Sequence, residues 1–513
     1  MTTKDNLLPS VRVARGATAV FMKSIAGTPL GLIYIAILTH LIPPNEMGVL
    51  AILTFFTSIL SAIGSLGLSG ASAKFIPELL GKGDAYKALA VYKKIFLLGF
   101  ISSVIIFIII LPLSSYLNLL FIHTSEYLFL MILAIISIPL TIVFNILLSL
   151  IQSFQRMNEY SALSFLQLNL GRFLGLTMLV LGLSLAGIFY ASITATFLAI
   201  IFSILILRRE LKAYKINSHN LQQDFTTTRL LSFSFPLLCI NILSILLSWI
   251  DSVFVWAKLS LSDLGVYQAA TITYSALLTV PLALSTSLYP QISELYGKHG
   301  RESLSEALKI TSRYISLVFI PLIFLSVIFS KQIISILTGP QYSEATIPFA
   351  IMTLGAFAAG FTMILNLNFM TLEKTKQLLG LQVLSFAVYL LILSVLVPML
   401  GMEGAAISNA VTTSLTILAS ILILRRYMRV CFDSEGCFKS IASSLIATVL
   451  VLPLSILHSS FNLFPLQLLL FAIIYVSVLI VLKSFHDYDL VRLEAFLPAR
   501  IKFLATLLRR FVR

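Results

Sequence analysis

The sequence predicts an all-α polytopic membrane protein of about fourteen transmembrane helices, built as two parallel six-helix repeats followed by an additional helix pair. Three observations lead there. Of the 513 residues, 58% are hydrophobic and 11% charged, with a mean hydropathy of +1.01, whereas an ordinary soluble chain is about 25% charged. The apolar runs reach the roughly 20 residues that a helix needs to cross a bilayer and are apolar on all sides, which excludes the short alternating strands of a barrel. Finally, landmarks recur at a constant offset. Asp263-Leu264-Gly265-Val266 follows Glu46-Met47-Gly48-Val49 by 217 residues, Glu294-Leu295-Tyr296-Gly297-Lys298 follows Glu78-Leu79-Leu80-Gly81-Lys82 by 216, and Gly404 follows Gly187 by 217.

The first repeat, residues 1–208, holds spans near 17–41, 47–71, 91–112, 127–152, 160–182 and 186–207. A polar linker, 209–228, separates it from the second repeat, 229–425, with spans near 230–257, 265–289, 311–330, 346–370, 378–398 and 404–424. An even number of crossings makes both repeats enter the membrane in the same direction. The additional pair, near 440–457 and 464–483, occupies 426–483, and a tail of 484–513 follows. That tail interleaves apolar residues with Arg500, Lys502, Arg509, Arg510 and Arg513, the pattern of a basic amphipathic segment lying on the inner leaflet.

Charge sets the orientation. The amino terminus, the loops 72–95, 153–159, 208–229, 291–313, 371–377 and 425–439, and the tail all fall on one side. All but three of the 35 Lys and Arg residues lie in or at the edge of these segments, the exceptions being Arg172, Lys258 and Lys331. Both termini are therefore expected in the cytoplasm. The net charge of +14 is explained by this topology and by anionic lipid head groups, so nucleic acid is not called for as a partner. The first apolar run is too long for a secretory signal and lacks a small-residue cleavage site. Three cysteines, Cys239, Cys431 and Cys437, make no disulfide framework.

Charge inside a span carries the functional information, because a charged side chain near the bilayer centre costs about 2.5–3.5 kcal/mol on insertion scales. Arg172 stands about 18 Å into the fifth span, beyond easy snorkelling, and calls for a water-filled cavity or an anionic partner. Lys23 is shallower, about 9 Å into the first span; it either snorkels or lines a cavity. Six residues on, Pro29, flanked by Gly27 and Gly31, marks a segment able to bend. Pro236 is a second candidate bend. Lys74 ends the second span, either as a cytoplasmic anchor or as a further cavity cation. Asp251 is the only carboxylate well inside a span, about 31 Å along its helix and bracketed by Trp249 and Trp256, which places it toward the outer interface. Lys258 shares its helical face, so an ion pair with a gating or coupling role is expected.

The scattered histidines show no metal-ligand spacing, and neither a Walker A sequence, a dinucleotide fingerprint nor a nucleophile with its base is present. No cofactor and no enzymatic activity are expected.

The stretches GSLGLSGASAKFIPELLGKGD (64–84), SFSFPLLCINILSILLSWIDSVFVWAKLSLSDLGVYQAA (232–270), LTGPQYSEATIPFAIMTLG (337–355) and LGMEGAAISNAVTT (400–413) resemble the multidrug/oligosaccharidyl-lipid/polysaccharide exporter superfamily, in its polysaccharide transporter branch of O-antigen flippase type. The resemblance covers both repeats, and fourteen spans match that branch. It implies two six-helix lobes around a cavity that opens to alternate sides. It also implies a substrate with a polyprenyl or dolichyl tail, a phosphate or diphosphate and a glycan head, and glycan-assembly machinery as a protein partner. Arg172 and Lys23, with Lys74 assisting, suit phosphate binding by sign and depth. The other reading, a cation-coupled antiporter of small amphiphiles like the multidrug branch, calls for buried carboxylates, which the spans of the first repeat lack.

Overall fold

Among the residues that the computed structural model describes (27, 29–213, 227–457 and 463–484) regular structure is helical, with no strand. The run of elements begins with α1 (Pro29–Leu41). It continues with α2 (Pro44–Gly64), α3 (Leu68–Gly81), α4 (Ala85–Ile110), α5 (Ser114–Ile122), α6 (Leu128–Ser153), α7 (Met157–Met178) and α8 (Ser184–Ala213). After the linker come α9 (Thr227–Lys258), α10 (Leu261–His299), α11 (Arg301–Ile328), α12 (Ser330–Thr338), α13 (Thr346–Thr371), α14 (Thr375–Leu424), α15 (Ser434–Leu457) and α16 (Phe464–Val481). Thirteen of the fourteen expected spans fall on helical segments, the first over its described part only, and the remaining one, 47–71, is divided between α2 and α3. Lys23, most of the linker and the basic tail beyond Ser484 lie outside the described residues.

Ten of these helical segments are long and apolar enough to cross a membrane, and two of the ten, Met157–Leu211 and Thr375–Leu424, each carry two expected crossings. They turn at Gly182 (φ 87°) and Gly401 (φ 61°), backbone values that a residue with a Cβ adopts only at a cost. The membrane reading is supported by what faces outward. On α4, Leu97, Ile101, Ile105 and Ile108 recur at helical spacing and are 44–63% exposed, an apolar stripe of the kind that faces lipid.

The duplication is written into the backbone as well as the sequence. Left-handed residues come in pairs at nearly the repeat offset: Gly83 with Gly300, His123 with Gly339, Gln155 with Glu373, and Gly182 with Gly401. One break has no counterpart. The expected second span, 47–71, is not continuous; it stops at Gly64 and restarts at Leu68, because Leu66 (φ 51°) and Gly67 (φ 68°) are both left-handed. Gly67 is required there, since a Cβ would lie 2.2 Å from the Ser234 carbonyl oxygen of α9. In the second repeat the corresponding helix, α10, runs unbroken.

By packing, the chain divides into units 1–268 and 269–513. In the first unit α6 is central, touching α2, α3, α4, α7 and α8, while α9, the opening helix of the second repeat, lies along α2 and α3. In the second unit α13 packs on α14 and α11, and the additional pair α15–α16 rests on α11. Phe329, Ala447, Val451, Phe471 and Leu479 form its apolar contact, and the Tyr475 hydroxyl donates to the Leu317 carbonyl at 2.8 Å. Beside it Arg313, counted from sequence among the loop cations, is 5% exposed and paired with Asp433 at 3.5 Å. Its Nη2 donates to the Ser484 carbonyl at 2.5 Å, and the Asp433 N–H donates to Ser312 Oγ at 3.0 Å. This buried ion pair fastens the additional helices to the second repeat.

Candidate functional site

Three helices of the first unit carry uncharged polar side chains three or four residues apart, so each presents them on one face. On α2 these are Thr57, Ser58 and Ser61, continued by Ser65 and by Ser69 on α3. On α6 they are Thr141, Asn145, Ser149 and Gln152, and on α9 they are Asn241, Ser244 and Ser248. The faces converge on a cavity of about 750 Å³, to which Tyr160 and Trp249 add aromatic rings. Among the described residues no Asp, Glu, Lys or Arg lines it. The cavity size lies within the usual range for a small-molecule site, about 300–1,000 Å³.

The seam between α2–α3 and α9 closes on either side of this cavity. Toward α5, Phe55 meets Trp249 with ring centroids 5.9 Å apart, and Phe121 stacks on Trp256 at 5.4 Å. Trp256 Nε1 donates to the Phe121 carbonyl at 2.7 Å. Trp249 thus serves the cavity wall rather than simply a lipid interface. Toward the other end, Gly67 abuts Ser234, Leu237 fills the space beside Gly70, and Phe75 meets Phe233 edge-on at 5.2 Å.

Of the cations singled out from sequence, Arg172 and Lys74 are described, and they have different surroundings. Arg172 is half-buried on α7, its guanidinium 5.7 Å from the Tyr34 ring centroid. It occupies space that Gly31 leaves open; a Cβ there would stand 3.3 Å from both terminal nitrogens. Nη1 is buried without a hydrogen-bond partner, and no carboxylate pairs with the side chain among the described residues. Lys74, exposed on α3, seats its ammonium 4.2 Å from the Phe233 ring centroid and 5.5 Å from that of Phe75. Arg229 lies 5.8 Å over the same Phe75 ring. One turn on, the Lys82 ammonium bonds Glu78 and, with Lys74 and Arg229 nearby, holds its carboxyl below the usual carboxylate range. Neither Arg172 nor Lys74 lines the polar cavity.

The ion pair expected between Asp251 and Lys258 is not formed. Asp251 is 6% exposed and accepts from the Tyr267 hydroxyl at 2.9 Å and from the Ser252 N–H at 2.7 Å, while Gln268 Nε2 donates to Ser252 Oγ at 2.8 Å. Lys258 is exposed at the end of α9. The reason is geometric: the first turns of α10 bring the Tyr267 phenol to the carboxylate, while the long Lys258 side chain reaches outward instead. Both candidate bends lie on helices. Pro29 stands at the start of the described run of α1, with Gly27 also helical, and α9 is helical on both sides of Pro236.

Sequence reasoning passed over the amides and hydroxyls of the cavity, because single Ser, Thr and Asn residues are common in membrane helices. The usable signal was their spacing: Thr57, Ser61, Ser65 and Ser69 recur every fourth residue, as do Thr141, Asn145 and Ser149.

Comparison with known proteins follows the same lines. A family model described as polysaccharide biosynthesis protein matches residues 13–296, and one described as MatE matches 236–396. The probable low-salt glycan biosynthesis flippase Agl15 of Haloferax volcanii is 20% identical over 440 residues, covering 85% of this chain and 89% of that protein. Among solved structures, the lipid II flippase MurJ in an inward closed conformation superposes with a TM-score of 0.68 at 17% identity, covering 93% of this chain and all of MurJ. An outward-facing multidrug resistance MATE transporter of the MOP superfamily gives a TM-score of 0.60 at 16% identity, covering 81% of this chain and 95% of that one. At these identities the structures speak to the fold.

Proposed function

We propose that this chain, which belongs to the polysaccharide biosynthesis protein family, is a flippase that moves a lipid-linked oligosaccharide across the cytoplasmic membrane by alternating access. The observation that carries the reading is the half-buried Arg172 guanidinium, with one nitrogen left without a partner inside a membrane helix. A buried donor without a partner costs about 1–3 kcal/mol, and more when charged. An anionic group arriving during transport recovers that cost, and the phosphate of a polyprenyl- or dolichyl-linked glycan is such a group. The named flippase relatives support the same cargo class. Lys23 and Lys74 are proposed to assist Arg172, with both termini cytoplasmic. The repeats 1–208 and 229–425 serve as the moving bodies of the cycle. An inside-negative potential favours outward movement of the anionic head by about 2.3 kcal/mol per charge per 100 mV.

The test is complementation of a strain lacking its own glycan-lipid flippase, with export scored by surface labelling. Arg172→Ala should abolish export at unchanged membrane abundance, and Arg172→Lys should restore part of it. Full export by Arg172→Ala sinks the phosphate role. The MatE match and the buried Asp251 favour a second reading, a cation-coupled antiporter of small amphiphiles. Resistance to cationic dyes without glycan export would select it.

A further inference from the structure

Among the described residues no carboxylate, ammonium or guanidinium lines the polar cavity of about 750 Å³. Among the described residues its three amides, Asn145, Gln152 and Asn241, make no side-chain hydrogen bond, while most of the neighbouring hydroxyls are spent on their own helix carbonyls. An amide carries two donors and two acceptor sites, so these side chains offer a set of hydrogen bonds open to a ligand. The same wall presents two aromatic rings, Trp249 and Tyr160, suited to the apolar C–H faces of a ring-shaped guest.

Resting on the flippase reading above, we propose that this cavity is the glycan site, and that it takes uncharged sugars. Free amides and aromatic faces match hydroxyl and N-acetyl groups on pyranose rings. A sugar bearing a carboxylate or sulfate would be carried out of water with no cation among the described lining residues to meet it, which is costly. The phosphate and the sugar are thus received at separate places in the first unit, Arg172 and the amide-lined cavity. Selectivity comes from the second, since a site built to hydrogen-bond its substrate discriminates strongly by what it leaves unpaired.

The full-length protein in liposomes tests this with two probes. Each is a polyprenyl diphosphate bearing a tagged disaccharide, one of two N-acetylhexosamines and one with a uronic acid in the second position. Translocation is read as protection from an impermeant reductant. The neutral probe should move at least ten-fold faster than the uronate probe. In Asn145→Leu/Asn241→Leu the neutral probe should slow at least ten-fold, whereas Arg172→Ala should slow both probes. Equal rates for the two probes, or a double variant as fast as wild type, would overturn the sugar site with the flippase reading intact. If wild type moves neither probe yet moves a cationic dye, the flippase reading itself falls and takes the sugar site with it. A binding measurement needs no amide variant: in Trp256→Phe, Trp249 is the sole tryptophan. Its emission should shift with the neutral probe and stay constant with the uronate probe; an equal response to both counts against the proposal.

Discussion

Gly48 and Gly265 pack against each other in a self-matching contact. A Cβ on Gly48 would lie 1.9 Å from the Leu261 carbonyl oxygen, and one on Gly265 would lie 1.8 Å from that of Pro44. Pro44 and Leu261 are themselves repeat equivalents, four residues before each glycine. The contact is isologous in the sense used for two-fold dimers, here between two parts of one chain. Because the obstructing atoms are backbone, they cannot rotate away.

Gly48→Ala and Gly265→Ala should therefore each destabilise the protein by about 1–3 kcal/mol or more. The double variant should cost less than the sum of the two, since the residues share one contact. Gly81→Ala, where a Cβ meets nothing within 4 Å, is the control and should be neutral or stabilising by up to about 1 kcal/mol. Thermal midpoints of the detergent-solubilised protein measure all four.

Asp433→Ala should cost about 3–5 kcal/mol, because it removes the carboxylate that is ion-paired with the buried Arg313 guanidinium. The double variant Arg313→Met/Asp433→Ala should recover part of that loss. Limited proteolysis near 426–434 follows the release of α15 and α16; an unchanged digestion pattern in Asp433→Ala argues against the fastening role.

Tyr267→Phe removes a hydrogen bond to the buried Asp251 carboxylate and should lower stability by about 1.5–3 kcal/mol. Lys258→Ala should stay within about 0.5 kcal/mol of wild type, as an exposed side chain without an ion pair. The opposite ranking in a thermal shift comparison would restore the Asp251–Lys258 pair.

The depressed Glu78 carboxyl gives a pH signature. Its unfolded value is near 4.3, and its folded value is lower because of Lys82, Lys74 and Arg229. The stability it adds is therefore present above about pH 4.3 and disappears as pH falls through the folded value. The midpoint difference between wild type and Glu78→Gln should be constant at neutral pH and vanish in acid. A difference that persists after the carboxyl has titrated contradicts the assignment.

How far the sequence reaches is clear from particular residues. The spans are legible because Leu, Ile, Val and Phe in runs of membrane length leave the backbone no choice but a helix. The repeat is legible because glycines such as Gly48 and Gly265 stand where no side chain fits. The break at Leu66–Gly67 is only half visible: GSLGLSG marks a weak point, but the close approach of Ser234 that demands it belongs to another helix. Arg172 stands out by its charge, yet its resting place on Tyr34 does not, because α1 and α7 are distant in sequence.

What the sequence determined by itself is thus the helical class, the duplication and the positions that cannot be lipid-facing without cost. Tertiary structure alone decided who meets whom: Tyr267 rather than Lys258 at Asp251, Asp433 at Arg313, and Asn145 of α6 across a cavity from Asn241 of α9. Periodicity tells which face of a helix is polar. It does not tell which neighbour that face will find, because in lipid the helices are paired by shape and by small residues at close contacts rather than by the apolar pattern.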